Sequence, residues 1–164
     1  MQIQNITLYG AGLIGSGWAT HLLCCGKRGV VVYDLAESAL DRARERIQND
    51  LNFLVSQDIL TKAQADEGYA SLVFTTEADV ALKDADLIQE SCPENLELKR
   101  KVLADIEARC RCDAIICTST SGIMVREIAR DAVHPERVIG AHPYHPVYLL
   151  PVSYTHLTLP TNSR

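Results

Sequence analysis

The sequence lacks an excess of positive charge, long apolar runs and low-complexity segments, and these absences exclude several classes of protein. Sixteen Lys and Arg residues face 21 Asp and Glu residues, a net charge of −5, so we expect no basic surface and no nucleic-acid partner. The unbroken apolar runs fall far short of the ~20 residues that a membrane-spanning helix needs. The N-terminus also lacks the charged and apolar regions of a signal peptide, so we expect a cytoplasmic protein without a membrane partner.

Paired cysteine motifs are also missing. The six cysteines include Cys110, Cys112 and Cys117, but the C-x-C-x4-C spacing lacks the C-x2-C pairs of a zinc module and has no histidine nearby, so we expect no metal site. A chain of 164 residues that is 47% apolar can form a core without disulfides. We therefore expect reduced thiols, with Cys24, Cys25 and Cys117 buried as small apolar side chains.

What the sequence does have is a regular alternation of strand and helix patterns. Apolar and β-branched runs predict strands at 3–9, 29–34, 72–74, 86–89, 114–117 and 137–141, and apolar residues spaced three and four apart predict helices at 13–25, 40–54 and 94–109. A short helix should also start after Thr61, which forms a capping-box pattern with Gln64. Because strands that alternate with helices pair in parallel, we predict an α/β fold, a doubly wound Rossmann-type parallel sheet with flanking helices.

A glycine motif, Gly10-Ala11-Gly12-Leu13-Ile14-Gly15, stands between the first predicted strand and the first helix. In that position Gly10 permits a tight turn, Gly12 lets the backbone approach a pyrophosphate, and Gly15 lets the helix pack on the strand. The second strand ends in Asp34, whose carboxylate can accept hydrogen bonds from ribose hydroxyls and repels a 2′-phosphate. The pattern predicts a site for NAD; a structural glycine turn beside an ordinary surface aspartate is the alternative.

Four segments together resemble one enzyme family. They are GAGLIGSGWA at the glycine motif, QESCPENLELK at 89–99, STSG at 119–122 and GAHPYHPVYLLP at 140–151. In this order and spacing they are similar to the 3-hydroxyacyl-CoA dehydrogenase family over residues 3–151, on the branch with carnitine dehydrogenase and the lambda-crystallin type gulonate dehydrogenases. The resemblance implies an NAD-dependent oxidoreductase that oxidises a secondary hydroxyl of a 3-hydroxyacyl-CoA, carnitine or a related 3-hydroxy acid to a ketone.

The resemblance also implies roles for single residues beyond the glycine motif. Glu94 and Lys99 would contact the nicotinamide half of NAD, and Ser121 would lie near the nicotinamide and the substrate oxygen. His142 matches the catalytic base that takes the hydroxyl proton. Each residue has an ordinary alternative: an exposed helix N-terminus for Glu94 and Lys99, a turn residue for Ser121, and a hydrogen-bonded structural histidine for His142.

The sequence departs from the family pattern at three points. His145 stands where the family has an asparagine, and we expect it beside the cofactor, where it would add a titrating group. Tyr154 stands where a glutamate orients the catalytic histidine, and a tyrosine is not an anion at neutral pH. The helical second domain that closes the substrate cleft and forms the homodimer is missing. A chain that binds NAD(H) without turnover is therefore the alternative to an active enzyme, and a lens-type structural protein is a third reading.

The last residues of the chain follow neither a helix nor a strand period. The segment 152–161 can be encoded completely by DNA that resembles a transposon-end sequencing adapter. We therefore expect 152–164 to be read-through of library DNA, and 1–151 to be a C-terminally truncated NAD-binding domain. A genuine tail is the alternative.

Overall fold

The computed structural model of the chain describes residues 3–149. In this part the strands are β1 (Ile6–Tyr9), β2 (Val30–Tyr33), β3 (Val73–Thr75), β4 (Leu87–Glu90), β5 (Ile115–Thr118) and β6 (Val138–Gly140). The helices are α1 (Leu13–Cys24), α2 (Glu37–Ser56), α3 (Lys62–Ala70), α4 (Ala78–Leu82), α5 (Leu96–Arg109) and α6 (Val125–Ile128), and 3-10 turns follow at Ala129–Asp131 and Pro135–Arg137. Tyr154 and the predicted read-through tail lie outside the described residues. Between residues 3 and 149, no helix is both long and apolar enough to cross a membrane.

The strands form one parallel sheet in the order β3-β2-β1-β4-β5-β6. This order confirms the predicted doubly wound fold. Strands β1 and β4 are neighbours in the sheet but not in the sequence, so the chain winds outwards in opposite directions from this pair. Doubly wound sheets bind ligands in the crevice that this reversal leaves at the carboxyl ends of the strands. The glycine motif follows β1 directly and therefore lies at that crevice.

Helices cover the sheet from both sides, and the helical periodicity predicted which residues they bury. On one side α1 and α2 pack against β1 and β2, and five α2 residues spaced three and four apart are all buried: Leu40, Ala43, Ile47, Leu51 and Leu54. On the other side, Leu103 and Ile106 of α5 pack with Ile88 of β4 and Ile116 of β5. Burial of each leucine or isoleucine side chain contributes roughly 1.5–3 kcal/mol. This packing holds the helices against the sheet and so fixes the strand ends around the crevice.

The first strand is shorter than the sequence pattern predicted. We expected it to begin at residue 3, but β1 begins at Ile6. The Asp86 carboxylate, at the start of β4, accepts hydrogen bonds from the N–H groups of Gln4 and Asn5, both at 2.9 Å. Because these donors bond to a side chain, they are not available for a strand ladder, and residues 3–5 precede the strand instead of extending it.

Two helix starts depend on capping side chains. Helix α3 begins as predicted, with the capping box between Thr61 and Gln64 present. Helix α5 begins at Leu96 and not at residue 94, because the Asn95 side chain accepts the N–H of Leu98 at 2.9 Å and acts as the N-cap. The residue before this cap, Glu94, therefore lies outside the helix, on the turn that leads from β4 into α5.

The six cysteines range from buried to exposed. Cys117, on β5, is 5% exposed, and burial raises the pKa of its thiol to about 12. Cys24 is half-buried. The expectation of burial is wrong for Cys25, which is exposed because α1 ends at Cys24 and Cys25 is already the C-cap residue.

This division predicts selective thiol labelling. We expect iodoacetamide at pH 8 to alkylate the exposed Cys25 and Cys112 in the folded protein, and Cys117 only after unfolding. A rise of the Cys117 pKa from 9.0 to about 12 leaves roughly a thousandth of the usual thiolate, which is the reactive form. Peptide mass spectrometry over a labelling time course measures the three rates. Equal rates for Cys117 and Cys112 without denaturant would contradict the prediction.

Candidate functional site

The glycine motif forms a tight turn between β1 and α1 in which two glycines are required by the protein's own packing. Gly10 adopts a φ of +106°, a backbone conformation that residues with a side chain rarely adopt. A Cβ atom on Gly15 would lie 1.9 Å from the carbonyl oxygen of Gly10, so only glycine lets the helix approach the turn so closely. Ala11, which follows Gly10 in the motif, is fully buried.

Gly12 differs from the other two glycines because protein packing does not require it. Within residues 3–149, a Cβ atom built on Gly12 meets no atom within 4 Å beyond its neighbours in the chain, and Gly12 is exposed at the N-cap of α1. A side chain here would instead occupy the space through which a ligand approaches the backbone. This is the role expected of the second glycine in a pyrophosphate-binding turn.

The first turn of α1 is suited to hold an anion. The first hydrogen bond within the helix runs from the Ser16 N–H to the Gly12 carbonyl at 2.9 Å, so the N–H groups of Leu13, Ile14 and Gly15 precede it and point out of the helix end. No acidic residue stands in this turn. The positive end of the helix dipole therefore remains available to a phosphate group.

Asp34 is attached to the glycine motif through hydrogen bonds. It follows β2, and its Oδ2 accepts the N–H of Ala11 at 2.9 Å while its Oδ1 accepts the N–H of Ala36 at 3.2 Å. The carboxylate is partly exposed and keeps lone pairs that can accept hydroxyl protons. Asp34 therefore stands beside the turn, where a ribose attached to a bound pyrophosphate would lie.

Lys99, expected near the nicotinamide half, is a buried cation. Its side chain is 1% exposed, and its Nζ lies 2.9 Å from both carboxylate oxygens of Glu90 and 3.2 Å from the carbonyl oxygen of Cys92. The alternative of an exposed helix N-terminus is therefore wrong for Lys99. Its ammonium also lies 3.8 Å from Oε2 of Glu94. The structure therefore places close together the two residues that the resemblance assigns to the nicotinamide half.

Glu94 fastens the loop that carries Ser121. Its Oε1 accepts hydrogen bonds from the Thr120 hydroxyl at 2.8 Å and from the N–H groups of Ser121 and Gly122 at 2.9 and 2.8 Å. Burial raises the pKa of the Glu94 carboxyl, but these hydrogen bonds and the charge of Lys99 lower it by more, so its pKa lies below the ordinary value. The ionised carboxylate thus holds the loop after β5 against the turn after β4, with Ser121 exposed.

His142 and His145 lie on the segment that follows β6. The ring of His142 is half-buried and stands edge-on against Tyr144, with ring centroids 5.6 Å apart. Within residues 3–149, no hydrogen bond joins His142 to Ser121. His145 is exposed and lies near Asp50 of α2.

Known proteins are similar to this chain in both sequence and fold. The family model described as 3-hydroxyacyl-CoA dehydrogenase, NAD binding domain, matches residues 5–153. The chain belongs to the 3-hydroxyacyl-CoA dehydrogenase family. L-carnitine dehydrogenase from Bacillus cereus is 42% identical over 92% of this chain and 44% of that protein, and the one from Oceanobacillus iheyensis is 40% identical over 92% and 47%. The crystal structure of 3-hydroxybutyryl-CoA dehydrogenase from Escherichia coli K12 superposes with a TM-score of 0.84 at 31% identity, over 90% of this chain and 31% of that one.

These matches confirm the family resemblance and the branch that includes carnitine dehydrogenase. NAD is the cofactor of the matched domain, and the residues present fit it: an open Gly12, outward N–H groups on α1, and a carboxylate at the end of β2. The chain spans 44% and 47% of the two L-carnitine dehydrogenases, about half of their length.

Sequence reasoning missed the buried polar residues that support this candidate site. Glu90 accepts hydrogen bonds from Lys99, from the Thr118 hydroxyl at 2.5 Å and from the Cys92 N–H at 2.6 Å. Gln89 bonds to Ser119 on the next loop. The sequence did contain a signal for these residues. Strand β4 begins with apolar residues and ends with the two polar residues Gln89 and Glu90, at the edge of the sheet where ligands bind.

Proposed function

We propose that this chain is the NAD-binding part of a dehydrogenase that oxidises a secondary hydroxyl to a ketone. The substrate class is a 3-hydroxyacyl-CoA, carnitine or a related 3-hydroxy acid. The observation that carries the proposal is the glycine turn, in which Gly12 is open to a ligand while Gly10 and Gly15 are fixed by packing. Asp34, bonded to the same turn, is positioned to accept the ribose hydroxyls and so favours NAD over NADP.

The residues of the site have separate roles in the proposed reaction. NAD, when bound, supplies the acceptor for the hydride that leaves the hydroxyl-bearing carbon. His142 takes the hydroxyl proton as a general base in the oxidation and returns it in the reduction, and Ser121 positions the substrate oxygen. Glu94 and Lys99 are assigned to the nicotinamide half, where the Glu94 carboxylate holds the Ser121 loop and the buried Lys99 ammonium supports that carboxylate. His145 is assigned to the same half.

A second candidate function is binding of NAD(H) without turnover by this chain alone. One observation favours it. Within residues 3–149, no carboxylate is hydrogen-bonded to His142 to orient its ring. In the homodimer that the family resemblance implies, a helical second domain would close the substrate cleft.

The first experiment is a fluorescence titration with NADH, with NADPH as the control. We expect saturable NADH binding that Asp34→Ala weakens by at least about tenfold and that His142→Ala leaves intact, because only Asp34 belongs to the adenosine half. Acetoacetyl-CoA added to the same cuvette then tests for turnover. Turnover would favour the enzyme over the binding module, and equal NADH affinity of both variants and the unaltered chain would refute the cofactor assignment.

A further inference from the structure

The last two residues of β4 face opposite sides of the sheet and make different connections. Glu90 faces α5 and binds Lys99. Gln89 faces α1, lines a cavity of about 290 Å³ together with Trp18 and Leu22, and is 4% exposed. The other residues of this cavity are mostly apolar, so a glutamine here is stabilised only by the hydrogen bonds that its amide makes.

The amide of Gln89 joins two loops at the carboxyl edge of the sheet. Its Nε2 lies 2.8 Å from Oγ of Ser119 and 3.3 Å from the carbonyl oxygen of Ala141. A backbone carbonyl can only accept, so the amide nitrogen must face Ala141, and this fixes the orientation of the amide. Ser119 also shares a hydrogen bond of 2.9 Å with the Ser91 hydroxyl.

These contacts connect the segments that follow β4, β5 and β6. Ser119 begins the loop that carries Ser121. The Ala141 carbonyl belongs to the peptide bond that leads into His142. Within residues 3–149, Gln89 is the one side chain that bonds to both of these segments. The backbone already joins the two strand ends, since the Ala141 N–H donates to the Thr118 carbonyl oxygen at 2.9 Å. The Gln89 amide adds a side-chain contact to the residue that follows on each strand, and so supports the position of the loop carrying Ser121 relative to the backbone of His142.

We propose that Gln89 is a positioning residue for the nicotinamide end of the site. On the basis of the proposed function above, Gln89 reinforces the spacing between the serine loop at 119–122 and His142 beyond what the backbone contact provides. The adenosine half does not depend on it, because the glycine motif and Asp34 are held by separate hydrogen bonds. Loss of the Gln89 amide should therefore disturb one half of the bound dinucleotide and leave the other unchanged.

The test compares NADH with ADP-ribose, which carries the adenosine half and the pyrophosphate but no nicotinamide. For Gln89→Leu we expect NADH to bind about tenfold more weakly, with a lower fluorescence enhancement at saturation, while the affinity for ADP-ribose changes by less than about twofold. Ile88→Val is the matched control, since it alters the neighbouring core position of β4 and should lower the melting temperature without separating the two ligands. Asp34→Ala should weaken both ligands.

A second variant covers the case in which Gln89→Leu does not fold. Ser119→Ala removes the shorter of the two contacts from the loop side and should reproduce the selective loss for NADH to a smaller degree. The inference is overturned if a folded variant loses affinity for NADH and ADP-ribose equally, or loses affinity for neither. Either result would leave the proposed function intact. Failure of the unaltered chain to bind either ligand would instead refute the proposed function, and the inference with it.

Discussion

Replacing Lys99 with methionine is expected to destabilise the folded chain by about 3–5 kcal/mol. The ammonium is 1% exposed and lies 2.9 Å from both oxygens of Glu90, which is itself 3% exposed. Methionine keeps the length and the apolar stem of lysine but removes the charge, and this leaves the Glu90 carboxylate buried without a cation. The free energy of unfolding, measured by far-UV circular dichroism in urea, reports the loss.

Two further variants separate the burial of charge from other effects of the substitution. Lys62→Met breaks an ion pair with Asp66 whose side chains are 66% and 62% exposed, and this should cost less than about 0.5 kcal/mol. The double variant Glu90→Gln with Lys99→Met leaves no buried charge and should recover much of the lost stability. If Lys99→Met unfolded at the same urea concentration as Lys62→Met, the buried pair would not be a stabilising contact.

The sheet and the glycine turn were predictable because the signals for both are local. Strand and helix periods repeat over a few residues, and the turn needs only the three glycines of its motif, so neighbours in the sequence determine both. The start of β1 was not predictable, since it depends on the Asp86 carboxylate, which is more than 80 residues away in the sequence and takes the N–H groups of Gln4 and Asn5.

The polar network behind the site shows a different limit of sequence reasoning. A lysine in the first turns of a helix normally faces water, and Lys99 is buried only because Glu90 ends the neighbouring strand β4 and faces α5. Gln89 likewise occupies a position where strand periodicity would allow an apolar residue. Both depend on which segments the fold brings together, and the sequence pattern contains no direct measure of that proximity.

The same substitution at Gly15 and at Gly12 should weaken NADH binding for different reasons, because only Gly15→Ala should also destabilise the fold. In Gly15→Ala, the new Cβ would lie 1.9 Å from the Gly10 carbonyl oxygen and 3.1 Å from its carbon. These are backbone atoms that no rotamer change can move aside, so the turn must open. We expect a fall in melting temperature of about 5–10 °C and loss of NADH binding with it.

In Gly12→Ala, the new methyl group meets no atom of the described part of the chain within 4 Å apart from its chain neighbours, and the φ of −70° suits alanine. The melting temperature should fall by no more than about 3 °C, the effect of a poorer N-cap residue. NADH affinity should nevertheless fall at least about tenfold, because the methyl group takes the space of a phosphate. Gly68→Ala is the control, because its Cβ would make an ordinary 3.6 Å contact with Leu23 of α1. It should neither lower the melting temperature nor weaken NADH binding. If Gly12→Ala bound NADH as tightly as the unaltered chain, the glycine turn would be a structural element and not a phosphate site.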